Sequence, residues 1–281
     1  MSRIMIMPNY LYNEAVNDAA ELEDWLEEQG YETGRVPNPE FETQVDMSDA
    51  SLLICMGGDG TILRAAQLVA GTGIPLLGLS YGHLGFLTCE TSKSIYGTVS
   101  AALAGELHQS RRSLLHAGIT GIDETGTLQY RTITAFNEVV LARGASGKMV
   151  EFEVSANGVH IDRLRGDGFV VATATGSTGY ALSAGGPIMT PSYRGLICVP
   201  VAPHTITARA FITSPSDVVE LKVISDRSSD PCVFADGETF AADLLPQKIK
   251  IEVSDKDIIL LSASSDSFYA SVSRVFYGNV R

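Results

Sequence analysis

Gly57-Gly58-Asp59-Gly60-Thr61 is the stretch whose residue types and spacing most directly suggest chemistry. Residues 52–56 are wholly apolar, as suits a buried strand, and Ile62, Ala65, Ala66 and Val69 have helical spacing, so the glycines fall in a strand-to-helix turn. Glycine amides can approach a ligand closely and the amino end of a helix favours an anion, which makes this turn a candidate phosphate cradle. A carboxylate inside such a turn has two uses in phosphoryl transfer. Asp59 can accept a proton from a substrate hydroxyl, or it can help hold a magnesium ion on the phosphates. The turn matches neither Gly-x-x-x-x-Gly-Lys-Ser/Thr nor Gly-x-Gly-x-x-Gly, which sets aside the P-loop and the dinucleotide fingerprint.

Three other clusters carry polar groups into apolar surroundings. Asn137-Glu138 interrupts an apolar strand pattern between 133–136 and 139–141, and such groups need partners, either a ligand or the backbone of a local bulge. Arg165-Gly166-Asp167-Gly168 leads through an apolar run into Thr173-Ala174-Thr175-Gly176-Ser177-Thr178-Gly179-Tyr180 and Ser183-Ala184-Gly185-Gly186-Pro187. Small hydroxyls and exposed amides at that density suit a ligand of sugar, base and phosphate rather than a metal. Gly78-Leu79-Ser80-Tyr81-Gly82 has the form of a serine-hydrolase nucleophile elbow, giving a rival class of function. An elbow opens directly into a helix, however, and His83-Leu84-Gly85-Phe86-Leu87 has another glycine and no helical face.

The elements that must position these residues fall into two sets. A strand within 1–8, an amphipathic helix through Ala15, Ala19, Leu22 and Leu26 closed by Gly30, the strand–turn–helix above and a strand at 74–79 make an α/β domain with a βαβ unit. A helix-like stretch over 95–107 ends it. From about Gln109 the periodicity becomes alternating: Val150, Phe152 and Val154 before an Asn157-Gly158 hairpin turn and Val159 and Ile161, then Val219, Leu221 and Val223, then Ile249, Ile251 and Val253 before a turn at Asp255-Lys256-Asp257. Helical spacing returns through Phe268, Val272, Val275 and Phe276, with residues 265–267 offering a cap. The expected domains are therefore 1–108 (α/β), 109–266 (β) and a terminal helix at 267–281 packing back on the first domain.

Composition narrows the partners. The 281 residues carry 20 Lys and Arg against 33 Asp and Glu, a net charge of −13 that disfavours nonspecific binding to nucleic acid or to an anionic membrane. With 45% apolar and 19% charged residues the chain reads as globular, and no apolar run approaches the ~20 residues of a membrane span. Cys55, Cys89, Cys198 and Cys232 lack the short spacings of a zinc site or disulfide framework, so a reducing cytoplasm is the expected compartment.

Taken together, Gly57-Gly58-Asp59-Gly60-Thr61, Gly82-His83-Leu84-Gly85-Phe86-Leu87, Asn137-Glu138, Gly166-Asp167-Gly168, Thr175-Gly176-Ser177-Thr178 and Pro203-His204 resemble, in their order, the motifs of the NAD kinase family. The resemblance spans most of the chain. It implies an α/β plus all-β protein: a Rossmann-like amino-terminal domain with the Gly-Gly-Asp-Gly turn, a carboxy-terminal β-sandwich, the active site between them, and a homodimer or homotetramer. It implies transfer of the terminal phosphoryl group of ATP, or of polyphosphate, to the 2′-hydroxyl of the adenosine ribose of NAD, making NADP, with Mg2+ accompanying the donor. Asp59 would be the general base, and Gly57, Gly58, Gly60 and Thr61 would hold the donor phosphates. NAD would meet Asp59, Gly60, Arg64, Asn137, Glu138, Lys148, Arg165, Asp167, Thr178, Gly179, Tyr180, Ala181, Leu182, Ser183, Ala202 and Glu238. Arg64, Lys148, Arg163, Arg165 and Arg209 lie near the motifs in sequence, where two anionic substrates need local cations. Arg165 resembles the position at which an arginine goes with NAD rather than NADH as acceptor in some bacterial members. The chain departs from the family pattern at Ser80-Tyr81, at Ala174 and at Gly179, where Asn followed by a variable residue, proline and alanine are usual. The alternatives are a serine hydrolase using Ser80 and a non-catalytic dinucleotide sensor.

Overall fold

Apolar runs too short for helices and buried on both faces become parallel strands in the first part of the chain: β1 (Arg3–Pro8), β3 (Ala50–Gly57) and β4 (Pro75–Ser80), with β2 (Glu32–Arg35) as a polar edge. The computed structural model describes residues 3–38, 45–81, 85–88, 95–224, 229–263 and 267–278. Gly82, His83, Leu84, Cys89 and the expected capping residues 265 and 266 lie outside the described residues. The chain divides into two units, one of Met1–Arg112 with Asp257–Arg281 and one of Ser113–Lys256.

In the first unit the strands run in the order β2-β1-β3-β4, all parallel. Helix α1 (Asn13–Glu28) buries Ala15, Ala19, Leu22 and Leu26, the four residues its spacing predicts, and Gly30 follows it at φ +84°. These side chains share a core with Ile4, Ile6, Ile54, Met56, Leu77 and Leu79 of the sheet. Helix α2 (Asp59–Val69) buries Ile62, Ala65, Ala66 and Val69 and packs on β3 and β4, while α3 (Ile95–Leu103) buries Val99. Strand β1 has β2 on one side and β3 on the other, so the winding reverses there. Open α/β sheets leave a crevice beyond the carboxyl ends of their strands at such a point, and the Gly57-Gly58 turn leaves β3 at that end.

The second unit begins within β5 (His108–Ile122), which pairs with β6 (Leu128–Ala135). Next come β7 (Glu138–Arg143), β8 (Val150–Ala156), β9 (Val159–Gly166), β10 (Gly168–Ala172), a 3₁₀ turn at Thr175–Thr178 and the one-turn helix α4 (Tyr180–Ser183). They are followed by β11 (Ile197–Val201), β12 (Phe211–Ile212), β13 (Val219–Val223), β14 (Pro231–Ala235), β15 (Glu238–Phe240) and β16 (Leu245–Ser262). An antiparallel sheet in the order β12-β11-β10-β7-β14-β15 faces strands β16, β13, β8 and β9, also antiparallel. Their inward residues, Val139, Leu141, Phe169 and Val171 from one sheet and Phe152, Val154, Leu221 and Ile249 from the other, form one core, with the Phe152 and Phe169 rings 5.7 Å apart and edge-on. This is a β-sandwich. Asn157 (φ +51°) and Gly158 (φ +76°) make the left-handed hairpin turn between β8 and β9, and Val159 and Ile161 beyond it are exposed because β9 is an edge strand.

One sequence expectation fails here. No turn forms at Asp255-Lys256-Asp257; β16 continues through it. The strand pairs with β13 up to Ile251 and with β4 from Ile259, and the polar residues occupy the interval between these ladders, where Ser254 Oγ accepts the Lys256 N–H (3.1 Å) and the Asp257 carbonyl accepts that of Gly71 (3.1 Å). The tail of β16 is thereby grouped with the first unit. So is α5 (Ser267–Tyr277), whose Phe268 and Phe276 lie 6.4 and 6.0 Å from the Phe86 ring. Among the described residues no helix is long and apolar enough to cross a membrane.

Because Phe169 joins both sheets in one core, Phe169→Ala is expected to destabilise the second unit by about 3–5 kcal/mol in denaturant unfolding followed by circular dichroism. A loss below about 1 kcal/mol contradicts the packing described.

Candidate active site

In the first unit the glycine turn separates glycines the fold needs from glycines it does not. A Cβ on Gly57 would overlap Thr61 Oγ1 and lie 3.2 Å from Asn9 Cβ, so packing alone requires glycine there. A Cβ on Gly58 or Gly60 would meet nothing within 4 Å, and neither residue has positive φ. Gly60 nonetheless sits inside α2, where glycine costs about 1 kcal/mol relative to alanine. What these two keep is open space at the amino end of a helix. Gly58, the capping residue, has no side chain to satisfy the first-turn amides, so that end remains available to an external anion.

Asp59, the first residue of α2, is held from the opposite side. Its Oδ2 accepts the Phe86 N–H at 3.1 Å and its Oδ1 the Leu87 N–H at 3.2 Å, and a Cβ on Gly85 would overlap the carboxylate. Gly85-Phe86-Leu87 thus closes on the carboxylate and fixes its orientation, leaving each oxygen lone-pair capacity for a further donor. Ser80 is the last residue of β4, in register with Gly57, and Tyr81 N–H donates to the Gly57 carbonyl (3.2 Å). No helix follows in the described stretch 85–88, so the geometry of a nucleophile elbow is not met. Arg64 lies exposed on α2, lining a cavity at the carboxyl end of β1 with Asn9, Tyr10 and Leu11.

In the second unit the break between β6 and β7 is held by a residue that sequence reasoning missed. Asp236 and Gly237 form the left-handed turn between β14 and β15 (φ +48° and +85°). The Asp236 carboxylate accepts the N–H groups of Phe136 (2.8 Å), Asn137 (2.7 Å) and Glu138 (3.2 Å), and its own N–H donates to the Glu138 carbonyl (3.0 Å). From the other side Thr173 donates its N–H to the Asn137 carbonyl (2.8 Å) and its hydroxyl to that of Phe136 (2.7 Å), while accepting the Gly176 N–H (3.1 Å). A Cβ on Gly176 would overlap the Asn137 carbonyl.

With their backbone so fixed, Asn137 and Glu138 project polar atoms that the protein does not satisfy. Among the described residues Asn137 Oδ1 and Glu138 Oε2 are buried without a hydrogen-bond partner. Glu138 is only 7% exposed. Burial first, then the negative charge of Asp236, push its carboxyl up to about 7, although the Tyr180 N–H donates to it. A Cβ on Gly179 would come within 3.2 Å of Glu138 Oε2 and 3.6 Å of Asn137 Nδ2, which places Gly179 directly beside both side chains. Of the two partners the sequence allows, the backbone explains only part of this cluster, and Asn137 Oδ1 and Glu138 Oε2 keep capacity for a further partner.

The remaining predicted residues are distributed around the second unit. Asp167, between β9 and β10, pairs with Arg143 (Nε to Oδ1, 3.0 Å), whose Nη1 also donates to the Gly147 carbonyl (2.8 Å) next to exposed Lys148. Arg143, the last residue of β7, was the second omission. Exposed Arg165 accepts the His204 N–H on its carbonyl (2.8 Å), which brings it beside Ala202, a non-glycine residue at φ +43°. Thr178 closes the 3₁₀ turn; of α4, Ala181 is buried, Leu182 half-buried and Tyr180 and Ser183 exposed. Glu238 is exposed on β15, two residues past Asp236.

Comparison with known proteins bears on the family and the fold. Residues 5–107 match the family model described as ATP-NAD kinase N-terminal domain, and residues 136–262 match that described as ATP-NAD kinase C-terminal domain. The chain is similar to an NAD kinase of Caldanaerobacter subterraneus subsp. tengcongensis, with 31% identity over 99% of this chain and 96% of that one. It is 36% identical to an NAD kinase of Ralstonia nicotianae over 80% of this chain and 72% of that one. Among solved structures, an NAD kinase from Archaeoglobus fulgidus in complex with ATP superposes with a TM-score of 0.76 at 25% identity, covering 98% of both chains. Yeast NADH kinase complexed with NADH superposes with a TM-score of 0.85 at 19% identity, covering 100% of this chain and 89% of that one, a likeness of fold.

The raised pKa of Glu138 gives stability a pH dependence. From the ordinary value of 4.5 up to about 7 the carboxyl ionises on unfolding but stays protonated when folded, so stability falls as pH rises through this window. Relative to the parent, Glu138→Gln is therefore expected to gain up to about 3 kcal/mol between the bottom and the top of it. Denaturant melts at several pH values check this; a difference independent of pH contradicts it.

Proposed function

The chain belongs to the NAD kinase family and carries its activity, phosphorylation of NAD to NADP, and from that membership we propose that Asp59 is the general base of the reaction. The observation that carries the assignment is a carboxylate oriented by two backbone amides at the open amino end of α2. With ATP as donor, the amides around Gly58 and Gly60 take the charge of the terminal phosphates, while the Thr61 N–H donates to the Gly58 carbonyl (2.9 Å) and steadies the turn. The 2′-oxygen of the adenosine ribose attacks the terminal phosphorus as the bond to the leaving ADP oxygen breaks, and Asp59 accepts the hydroxyl proton. The resemblance assigns the acceptor's adenosine end to Asn137 and Glu138, whose unpartnered oxygens suit ribose hydroxyls and the adenine amine. Asp167, Arg165, Lys148, Ala202, Glu238 and residues 178–183 provide its other contacts. Arg64, Lys148 and Arg165 offer local cations in a chain of net charge −13.

Among the described residues no group of three or more His, Cys, Asp or Glu could hold a metal ion. Mg2+ is usually bound by one or two carboxylates together with substrate phosphates and water, and Asp59 at the phosphate turn fits that mode. When bound with ATP it would neutralise developing charge on the phosphates. Cys55, Cys198 and Cys232 are free thiols, which supports a cytoplasmic location, and the family resemblance supports a homodimer or homotetramer.

Purified protein is expected to form NADP from NAD, ATP and magnesium, and Asp59→Asn to lower kcat by at least about 100-fold. Equal rates overturn the base assignment; product with polyphosphate but not ATP overturns the donor. Gly85→Ala, which crowds the carboxylate, is expected to lower kcat by about tenfold or more while NAD affinity stays within about threefold, since only positioning at the reacting atoms changes. Loss of affinity in proportion to rate contradicts that separation.

A further inference from the structure

We propose that Asp236 is a positioning residue for the acceptor: through three successive backbone amides it aims the Asn137 and Glu138 side chains at the dinucleotide and keeps Glu138 able to donate a proton in a hydrogen bond to it. This rests on the reading of Asn137 and Glu138 as acceptor contacts. A lone carboxylate taking the amides of residues 136–138 fixes the orientation of that backbone more firmly than neutral acceptors would, because charge-assisted bonds are the stronger kind. Phe136 and Asn137 lie in the break between β6 and β7, and Glu138 opens β7, paired with Ala172 of β10. The two side chains that leave the same three-residue segment carry the buried, unpartnered oxygens Asn137 Oδ1 and Glu138 Oε2. Asp236 thus orients two groups that keep capacity for an external partner.

The charge of Asp236 has a second effect. The turn between β14 and β15 presents the Asp236 carboxylate to Glu138, with the exposed carboxylate of Glu238 just beyond it on β15. From α4 comes an uncharged Tyr180 N–H, from β10 the paired Ala172, and from the 3₁₀ turn and its end Gly176 and Gly179. Burial and the charge of Asp236 favour retention of the Glu138 proton over the opposing pull of the Tyr180 N–H. A protonated Glu138 can donate to a ribose or phosphate oxygen of the acceptor, whereas the carboxylate can only accept and repels phosphate.

The test compares NAD binding by calorimetry and steady-state kinetics in the parent, Asp236→Asn, Asp236→Glu and Glu138→Gln from about pH 6 to about pH 8.5. Folding is checked by circular dichroism. Asp236→Asn is expected to raise the Kd and KM for NAD at least about tenfold while kcat falls less than about threefold, and to move the pH dependence of NAD binding to lower pH. Glu138→Gln, which cannot ionise, is expected to lose the parent's fall in affinity as pH rises through neutrality. Asp236→Glu restores the charge but not the reach, and so is expected to keep the parent pH profile with a raised KM. Parent values and profile in Asp236→Asn overturn the proposal, as does an equal loss of kcat and affinity that follows melting temperature. Should Asp236→Asn not fold, a parent profile indistinguishable from that of Glu138→Gln overturns it. A parent that binds NAD but forms no NADP overturns the Asp59 reading instead, with Asp236 still judged by affinity. A parent that does not bind NAD overturns both.

Discussion

Among the described residues Asn137 and Glu138 each bury one side-chain oxygen without a partner, and this sets the terms for the structure around them. Each such group costs about 1–3 kcal/mol, a loss that a bound ligand would recover. The surrounding structure follows from keeping Asn137 Oδ1 and Glu138 Oε2 presentable. Asp236 and Thr173 hold the backbone from opposite sides, Gly176 lets that backbone lie against the 3₁₀ turn, and Gly179 stands directly beside the Glu138 carboxyl. The β-sandwich supplies the rigidity, since β7 is paired on one side with β10 and on the other with β14, the strands whose ends carry Thr173 and Asp236.

The first unit solves a different problem with similar means. On the reading proposed above its ligand is an anion, and its device is vacancy: Gly58 and Gly60 leave the amino end of α2 uncovered, whereas Gly57 and Gly85 are glycine because Thr61 and Asp59 occupy the space a side chain would need. The carboxylate inside that anion site is tolerable because two loop amides already share its charge. Binding of a phosphate and placement of a proton acceptor are thereby separate tasks of neighbouring residues.

What the sequence makes legible and what it hides have physical reasons. Period and glycine placement identify β3, the turn and α2 because each follows from local rules, and the α1 core positions are readable for the same reason. Asn137-Glu138 stands out as polarity in an apolar strand. Asp236 is hidden because its role depends on a pairing 98 to 100 residues away along the chain. The Asp-Gly pair between two β patterns announces the hairpin. It does not announce which amides the carboxylate meets. Arg143 is hidden more completely, as nothing at the end of a strand distinguishes a solvated arginine from the partner of Asp167. The misread turn at Asp255-Lys256-Asp257 has the same origin: a strand that pairs with β13 and then with β4 passes through polar residues between ladders, and local composition reads that interval as a break.

The central proposal is that holding the acceptor's adenosine end falls mainly to Asn137 and Glu138, and activating its hydroxyl to Asp59. Equilibrium binding of NAD to purified Asp59→Asn and Asn137→Ala proteins, without donor, tests it most directly. The account predicts that Asp59→Asn binds NAD within about threefold of the parent, while Asn137→Ala, stripped of one buried polar contact, binds it at least about tenfold more weakly. Weakened binding in Asp59→Asn beside parent affinity in Asn137→Ala would contradict it.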